Sequence, residues 1–305
     1  MSLLPWIGFG VFVLAMLAVD LGIFHKNSHE VKVKEAVIWS VVWISLALAF
    51  NGLIWATMGA PKAMEFFAGY VIEKSLSVDN IFIFVLLFAS FKVPKKYHHK
   101  VLFWGILGAL VMRGLFIGGG ISLLHYFHPI IYIFGAFLVF TGIKMLITDQ
   151  KEMDFEKNII LRISRKLFRV TPHYVEDKLI VIQNGKRYIT PLLLVLIMVE
   201  VTDLIFAVDS IPAVLAISHD PFIVFTSNVF AIMGLRSLYF ALAGAVQNFH
   251  YLTHALAGIL SFVGIKMLTS DIYPISTGIS LMVIVSILFI GGCASWIYSY
   301  RNRTQ

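Results

Sequence analysis

Residues 73–84 read EKSLSVDNIFIF and residues 199–217 read VEVTDLIFAVDSIPAVLAI. Each sets carboxylates inside an apolar run, and the two stretches correspond. At an offset of 130, Glu73 matches Asp203, and Val78-Asp79-Asn80-Ile81 matches Val208-Asp209-Ser210-Ile211. The match continues downstream. At an offset of 123, Arg113-Gly114-Leu115 meets Arg236-Ser237-Leu238; at 122, Gly142-Ile143-Lys144-Met145-Leu146 meets Gly264-Ile265-Lys266-Met267-Leu268, and Asp149 meets Asp271. Three apolar runs make up each copy. Three is odd, so the second copy enters a membrane from the opposite side. This predicts an inverted-topology repeat, an arrangement that in secondary transporters puts the substrate site near the midplane where the copies meet. Duplication kept only for packing is the competing explanation. Against it, the best-matched residues are polar ones, which are costly in that place.

Composition sets the class. The 305 residues are 59% hydrophobic and 13% charged, with a mean hydropathy of +0.87. Soluble domains are about 45–50% apolar and about 25% charged. Disordered chains are polar and poor in aromatics, which excludes disorder. The single cysteine, Cys293, excludes a disulfide framework or a thiolate zinc site within one chain. A spanning helix needs about 20 mostly apolar residues. Nine runs qualify, at 3–24, 36–58, 67–91, 100–124, 129–148, 191–217, 222–245, 249–270 and 276–299. The first has no basic leader and no convincing cleavage site, so it reads as a retained helix. With the N-terminus outside, 18 of the 24 Lys and Arg fall in inner segments and only Lys62 in an outer one. That is a positive-inside pattern with the C-terminus in the cytoplasm. Because the basic residues sit between apolar runs, the net charge of +7 does not point to nucleic acid.

The fold expected is therefore all-α and polytopic. Two N-terminal helices occupy 1–66 and the first three-helix repeat 67–148. A cytoplasmic linker takes 149–190, the second repeat 191–271, and a final helix with a cytoplasmic tail 272–305. The linker is long for a connection. Within it, 154–169 place Phe155, Ile159, Ile163 and Phe168 near one helical face among basic residues, which suggests a helix on the anionic inner leaflet. Residues 178–190 hold Asn184-Gly185 between two β-type runs, a hairpin signal. A lone hairpin is marginal in water, so it should rest on something.

Six acids fall in the spans (Asp20, Glu73, Asp79, Glu200, Asp203, Asp209), with five bases (Lys74, Arg113, Lys144, Arg236, Lys266). A charge at a helix centre costs about 2.5–3.5 kcal/mol by insertion scales. These acids must pair, take up protons or bind cations. At 100° per residue, Glu73 and Asp79 point about 120° apart, as do Asp203 and Asp209. Both acids of a motif could meet one ion only if the helix unwinds between them. Pro212 frees the carbonyl of Val208 and could supply a kink there. Glu200 and Asp203 share a face. The set that could converge is Asp79, Asn80, Asp209 and Ser210, with Glu73 and Asp203 nearby. All are oxygen donors, which suit Mg²⁺, Ca²⁺ or Mn²⁺. Ion pairing with Lys or Arg is the competing explanation for each acid. Arg113 and Arg236, near mid-span, read as structural or gating counter-ions. Lys144 and Lys266 lie near span ends and can snorkel.

These residues carry a resemblance. The stretches DLGIFHKNSHEVKVKEAVIWSVVWISLALAFN at 20–51, EKSLSVDNIFIF at 73–84 and VEVTDLIFAVDSIPAVLAI at 199–217 resemble the TerC family of integral membrane proteins, close to its Alx type. The resemblance covers nearly the full length, with no departure from the two acidic motifs. It implies an inner-membrane protein related to cation exporters, associated with manganese efflux and historically with tellurite resistance. By the family's motif, the metal-handling acids fall on Glu73, Asp79, Glu200, Asp203 and Asp209. The leading expectation is a secondary transporter exporting Mn²⁺ as its substrate. It would have no tightly bound cofactor and no enzymatic activity, with the bilayer and other membrane proteins as its partners. The alternative is a membrane scaffold or stress-response protein whose acids are structural and whose working part is 154–190. An intramembrane protease is weak, because the aspartates lack the Gly-rich flanks of unwound backbone.

Overall fold

A computed structural model describes residues 3–24, 33–127, 129–147, 168–183, 185–243, 251–273 and 275–303. Five helices come first: α1 (Leu3–Phe24), α2 (Val33–Met58), α3 (Ala60–Ser90), α4 (Lys95–Tyr126) and α5 (Ile130–Ile147). The strands β1 (Ile180–Gln183) and β2 (Lys186–Ile189) follow. Then come α6 (Pro191–Leu215), α7 (Pro221–Met233), α8 (Leu235–Leu242), α9 (Leu252–Leu268) and α10 (Thr277–Arg303). Among the described residues, six stretches are long and apolar enough to cross a membrane: Val33–Met58, Lys95–Gly120, Ile130–Ile147, Pro191–Leu215, Pro221–Leu242 and Thr277–Tyr298. Leu3–Val19 and Thr253–Leu268 are shorter apolar helices. Exposed side chains such as Leu4, Val11, Leu53, Trp55, Phe140, Phe289 and Trp296 supply the apolar surface that acyl chains cover. The chain is thus a mostly helical, multi-pass membrane protein.

Two boundaries differ from the sequence reading. The third helix starts at Ala60 and not near 67, with Pro61 in its first turn and Gly59 at φ +89° before it. Lys62, expected in a loop, is therefore on that first turn. The run at 222–245 is not one helix, because α7 stops at Met233 and α8 begins after Gly234. The break coincides with a tertiary contact. Lys74 Nζ donates to the Ala231 carbonyl at 3.2 Å, taking up a carbonyl of the last turn of α7. A Cβ on Gly234 would lie 2.7 Å from that Nζ and 3.2 Å from Trp43 Cβ. Glycine leaves room for both neighbours, and any larger residue would require the Lys74 ammonium and Trp43 to shift.

The hairpin forms as expected, with Gln183 paired to Lys186 across the turn and Gly185 at φ +70°. It rests on the helices. Val170 bridges Ile189, Thr171 N donates to Ile189 O at 2.9 Å, and Ile189 N to Arg169 O at 2.9 Å. Tyr174 Oη donates to the Phe91 carbonyl at 2.8 Å, and Lys100 Nζ lies 2.8 Å from Asp177. That ammonium holds the Asp177 carboxyl below its usual value. The surface helix expected over 154–169 lies outside the described residues except at its last two positions.

The centre is built by α3 and α6. Phe91, just past the end of α3, packs with Ile189 and Leu194 at the start of α6, so the two helices run in opposite directions. α3 packs on α7, α6 packs on α4, and α5 packs on α9. The α5–α9 contact is backbone to backbone. A Cβ on Gly264 would lie 2.6 Å from the Gly135 carbonyl, and one on Gly142 would lie 2.7 Å from the Ala257 carbonyl. One apolar cluster, including Ile81, Phe84, Leu102, Ile106 and Leu192, fills the hairpin end. Others, around Ile72, Ile117 and Val214 and around Phe66, Phe222 and Phe230, fill the far end.

Candidate functional site

Between those apolar clusters lies a polar one. Arg113 of α4 is 2% exposed and sits between Glu73 of α3 and Asp203 of α6. Its Nη1 contacts Glu73 Oε1; its Nη2 donates to Asp203 Oδ1 at 2.9 Å, and its Nε donates to Asp203 Oδ2 at 3.1 Å. The second carboxylate is thus held by a two-pronged fork. Nη1 also has Ser210 Oγ and Asn228 Oδ1 at 3.4 Å. Asn228 of α7 donates through Nδ2 to Glu73 Oε2 at 2.9 Å, and Asn80 Nδ2 stands 3.5 Å from Asp203 Oδ1. Glu73, Asn80, Asp203, Ser210 and Asn228 are all buried.

Helix periodicity explains which residues meet. Glu73 and Asn80 are seven apart, as are Asp203 and Ser210, and seven residues turn through about 700°, nearly two whole turns. The first acid of each motif therefore shares a face with the amide or hydroxyl that follows the second acid. The second acids point elsewhere. Asp209 is half-buried, accepts a hydrogen bond from Thr141 and lies near Lys144, both on α5. Asp79 lies on α3, and its side chain is outside the described residues, as is that of Asp20. α3 is helical from Ala60 to Ser90 and α6 continues through Pro212 to Leu215. The unwinding that would bring both acids of a motif to one ion is therefore not present. Glu200 is one turn from Asp203 on α6, and its carboxylate lies where a Cβ on Gly108 would collide with it.

The bases divide. Arg113 is a counter-ion to two acids. Arg236, its counterpart by offset, has Nη1 3.2 Å from His99 Nε2 at the hairpin end, where His98 Nδ1 meets Tyr239 Oη at 3.0 Å. Lys266 is 9% exposed, and the negative charge of Glu65, near the start of α3, bears on it. Asn228 is the site residue that sequence reasoning missed. Its only signal is the short polar run Thr226-Ser227-Asn228 inside the apolar segment VFTSNVFAIM at 224–233.

Chemically, the cluster has five oxygen-bearing side chains around one guanidinium. Two carboxylates and one cation leave it one negative charge in excess. Of the four buried side-chain oxygens that have no hydrogen-bond partner among the described residues, two belong to the acidic motifs, Asn80 Oδ1 and Glu200 Oε2; the others are Asn51 Oδ1 and Tyr70 Oη. Buried polar atoms are normally satisfied, so each marks capacity for a further ligand or proton. Among the described residues no three His, Cys, Asp or Glu side chains already converge as a metal site. A cavity of about 10 Å³, one water at most, adjoins Asp203 and is walled by Phe84, Leu102, Ile106 and Leu235. Apolar side chains thus shut the cluster off from the hairpin end.

Comparison with known proteins agrees with this architecture. Residues 58–303 match the profile described as the integral membrane protein TerC family. The chain is 48% identical over 300 residues to the uncharacterised membrane protein STKORF319 of Myxococcus xanthus, covering 98% of this chain and 94% of that one. It is 44% identical over 311 residues to Alx of Escherichia coli strain K12, named as a candidate membrane-bound redox modulator, with 99% and 97% covered. A membrane protein of Rickettsia bellii is 40% identical over 292 residues, with 96% and 97% covered. No solved structure matches the chain. A profile match across most of the length, joined to full-length relatives of this identity, makes the chain a member of the TerC family of integral membrane proteins.

Proposed function

We propose that this chain is a secondary transporter, not an enzyme, that exports a hard divalent cation, Mn²⁺ foremost, from the cytoplasm. The observation that carries the reading is the meeting of Glu73 and Asp203. These are corresponding positions of the two acidic motifs, brought to one buried point with amide and hydroxyl oxygens and no sulfur or imidazole. Such a donor set favours Mg²⁺, Ca²⁺ and Mn²⁺ over softer metals. The resemblance to manganese-efflux proteins selects Mn²⁺ among them. Asp209, Thr141 and the unpartnered oxygen of Glu200 extend the polar surface away from the centre and serve as steps of access. In this reading nine helices span the inner membrane with the N-terminus outside and the hairpin and C-terminus in the cytoplasm. The helices around the two motifs form two inverted repeats. Paired contacts support the inversion: α3 on α7 mirrors α6 on α4, while Gly135 against Gly264 mirrors Gly142 against Ala257. Rocking of one repeat against the other would move the site from one face to the other.

The redox role in the name of the Escherichia coli relative fits an indirect effect. A dithiol cycle within one chain needs two cysteines, and this chain has Cys293 alone. A second reading, a membrane scaffold with structural acids, is favoured by one observation: Arg113 already neutralises one of the two carboxylates. Manganese tolerance separates the two. In cells lacking their own manganese exporter, the wild-type chain should restore growth in high Mn²⁺. Glu73→Gln, Asp203→Asn and Asp209→Asn should not, at equal membrane abundance. Loss of rescue only on deletion of 149–190, with the acid variants fully active, would favour the scaffold.

A further inference from the structure

We infer that Arg113 is a tethered competitor for the transported cation: its guanidinium occupies the ion site when the site is empty and must leave when the ion enters. The inference rests on the proposed transport function and deepens it. Three observations carry it. First, Arg113 is met by the oxygens a hard cation would need, namely Glu73 Oε1, both oxygens of Asp203, and at 3.4 Å Ser210 Oγ and Asn228 Oδ1. Second, Asn80 Oδ1 is buried beside this set with no hydrogen-bond partner among the described residues, a further oxygen with a free lone pair that the guanidinium does not engage. Third, the charges count against joint occupancy. Glu73, Asp203 and Arg113 sum to one negative charge. A divalent ion added to them makes one positive charge in a dry interior, whereas the ion with the two carboxylates alone makes zero. An uncompensated buried charge costs more than a cluster whose charges cancel.

The device has a purpose in a carrier. Two bare carboxylates could not cross a closed, low-dielectric state, so an empty site without a cation would be stuck facing one side. With Arg113 folded in, the empty site carries one net negative charge instead of two, which lowers the cost of reorienting the empty carrier. Arg236, at the matching position of the second repeat, meets His99 and leaves this cluster to Arg113. The competition sets apparent affinity. If the arginine-released state is a minor one, populated at about 0.1–10%, the ion binds more weakly by that fraction.

The test is Mn²⁺ binding to purified full-length protein in detergent, read from the EPR signal of free Mn²⁺, alongside Mn²⁺ flux in proteoliposomes. Arg113→Ala should bind Mn²⁺ at least about tenfold more tightly than wild type while its flux falls. Arg113→Lys, with three donors and no planar fork, should fall between them. Millimolar guanidinium should weaken Mn²⁺ binding to Arg113→Ala and leave wild type unaffected, a response that a merely structural arginine would not produce. If Arg113→Ala does not run as a single species on gel filtration, Arg113→Lys carries the comparison. Variants that bind no tighter than wild type, or an Arg113→Ala protein indifferent to guanidinium, would overturn the inference while wild-type flux stands. Absence of divalent-ion flux in wild type itself would remove the transport function, and this inference with it.

Discussion

Removing both acids that hold Arg113 should cost more than removing one, and removing the arginine as well should restore stability. In Glu73→Gln/Asp203→Asn the guanidinium stays 2% exposed between helices with no carboxylate in contact. Breaking a buried pair in this way costs about 3–5 kcal/mol, because the remaining charge is left uncompensated. Glu73→Gln alone keeps the fork to Asp203 at 2.9 and 3.1 Å. It exchanges one charged hydrogen bond for a neutral one, a loss of about 1 kcal/mol. The triple variant with Arg113→Met replaces the stranded cation by an apolar chain of similar length and should recover most of the loss. Unfolding by SDS titration of the detergent-solubilised protein, followed by tryptophan fluorescence, gives the ordering. The expected order is wild type, then the single variant, then the triple, then the double. A double variant within about 1 kcal/mol of wild type, or a triple no more stable than the double, would refute the description of Arg113 as a buried cation dependent on these two acids.

Gly264→Ala and Gly142→Ala should each destabilise by about 1–3 kcal/mol, since the new methyl meets backbone oxygens at 2.6 and 2.7 Å. Gly119→Ala, with nothing within 4 Å, should be neutral or slightly stabilising in the same titration. Lys100→Ala should lower stability by no more than about 1 kcal/mol at pH 7, because the partner Asp177 is 60% exposed. The Asp177 carboxyl is depressed in the folded state, so this contribution is complete above its unfolded value of 3.8 and fades as pH falls through the folded value. The difference between variant and wild type should therefore shrink as pH falls below 3.8; a difference that grows there would show the sign to be wrong. Cysteine-labelling in cells should find Lys96→Cys and Arg187→Cys reactive only from the cytoplasm and Lys62→Cys from outside, and the opposite pattern would reverse the proposed orientation.

Much of the fold was legible because hydrophobic length is a strong signal and the hairpin had a two-residue turn of defined chemistry. The helix break at Gly234 was not legible. It coincides with Lys74 arriving from a helix 157 positions away to meet Ala231, and a glycine within an apolar run reads equally well as packing. At the site, offset matching paired Glu73 with Asp203 and Asn80 with Ser210, and the structure brings these four side chains to one cluster. The set expected to converge, Asp79, Asn80, Asp209 and Ser210, combines residues from two faces of each helix, since the second acids point about 120° from the first. The seven-residue spacing already placed Asn80 and Ser210 on the face of the first acids, and following it would have located the cluster. Asn228 lay beyond sequence reasoning, since nothing in its own segment says which neighbour it faces.

Cation flux into proteoliposomes tests the central claim most directly. Purified protein reconstituted at known orientation should carry Mn²⁺ above protein-free vesicles, with Glu73→Gln and Asp203→Asn reduced to background at equal incorporation. Vesicles containing the wild-type chain that move Mn²⁺, Mg²⁺ and Ca²⁺ no faster than empty ones, under either a proton gradient or a membrane potential, would contradict it.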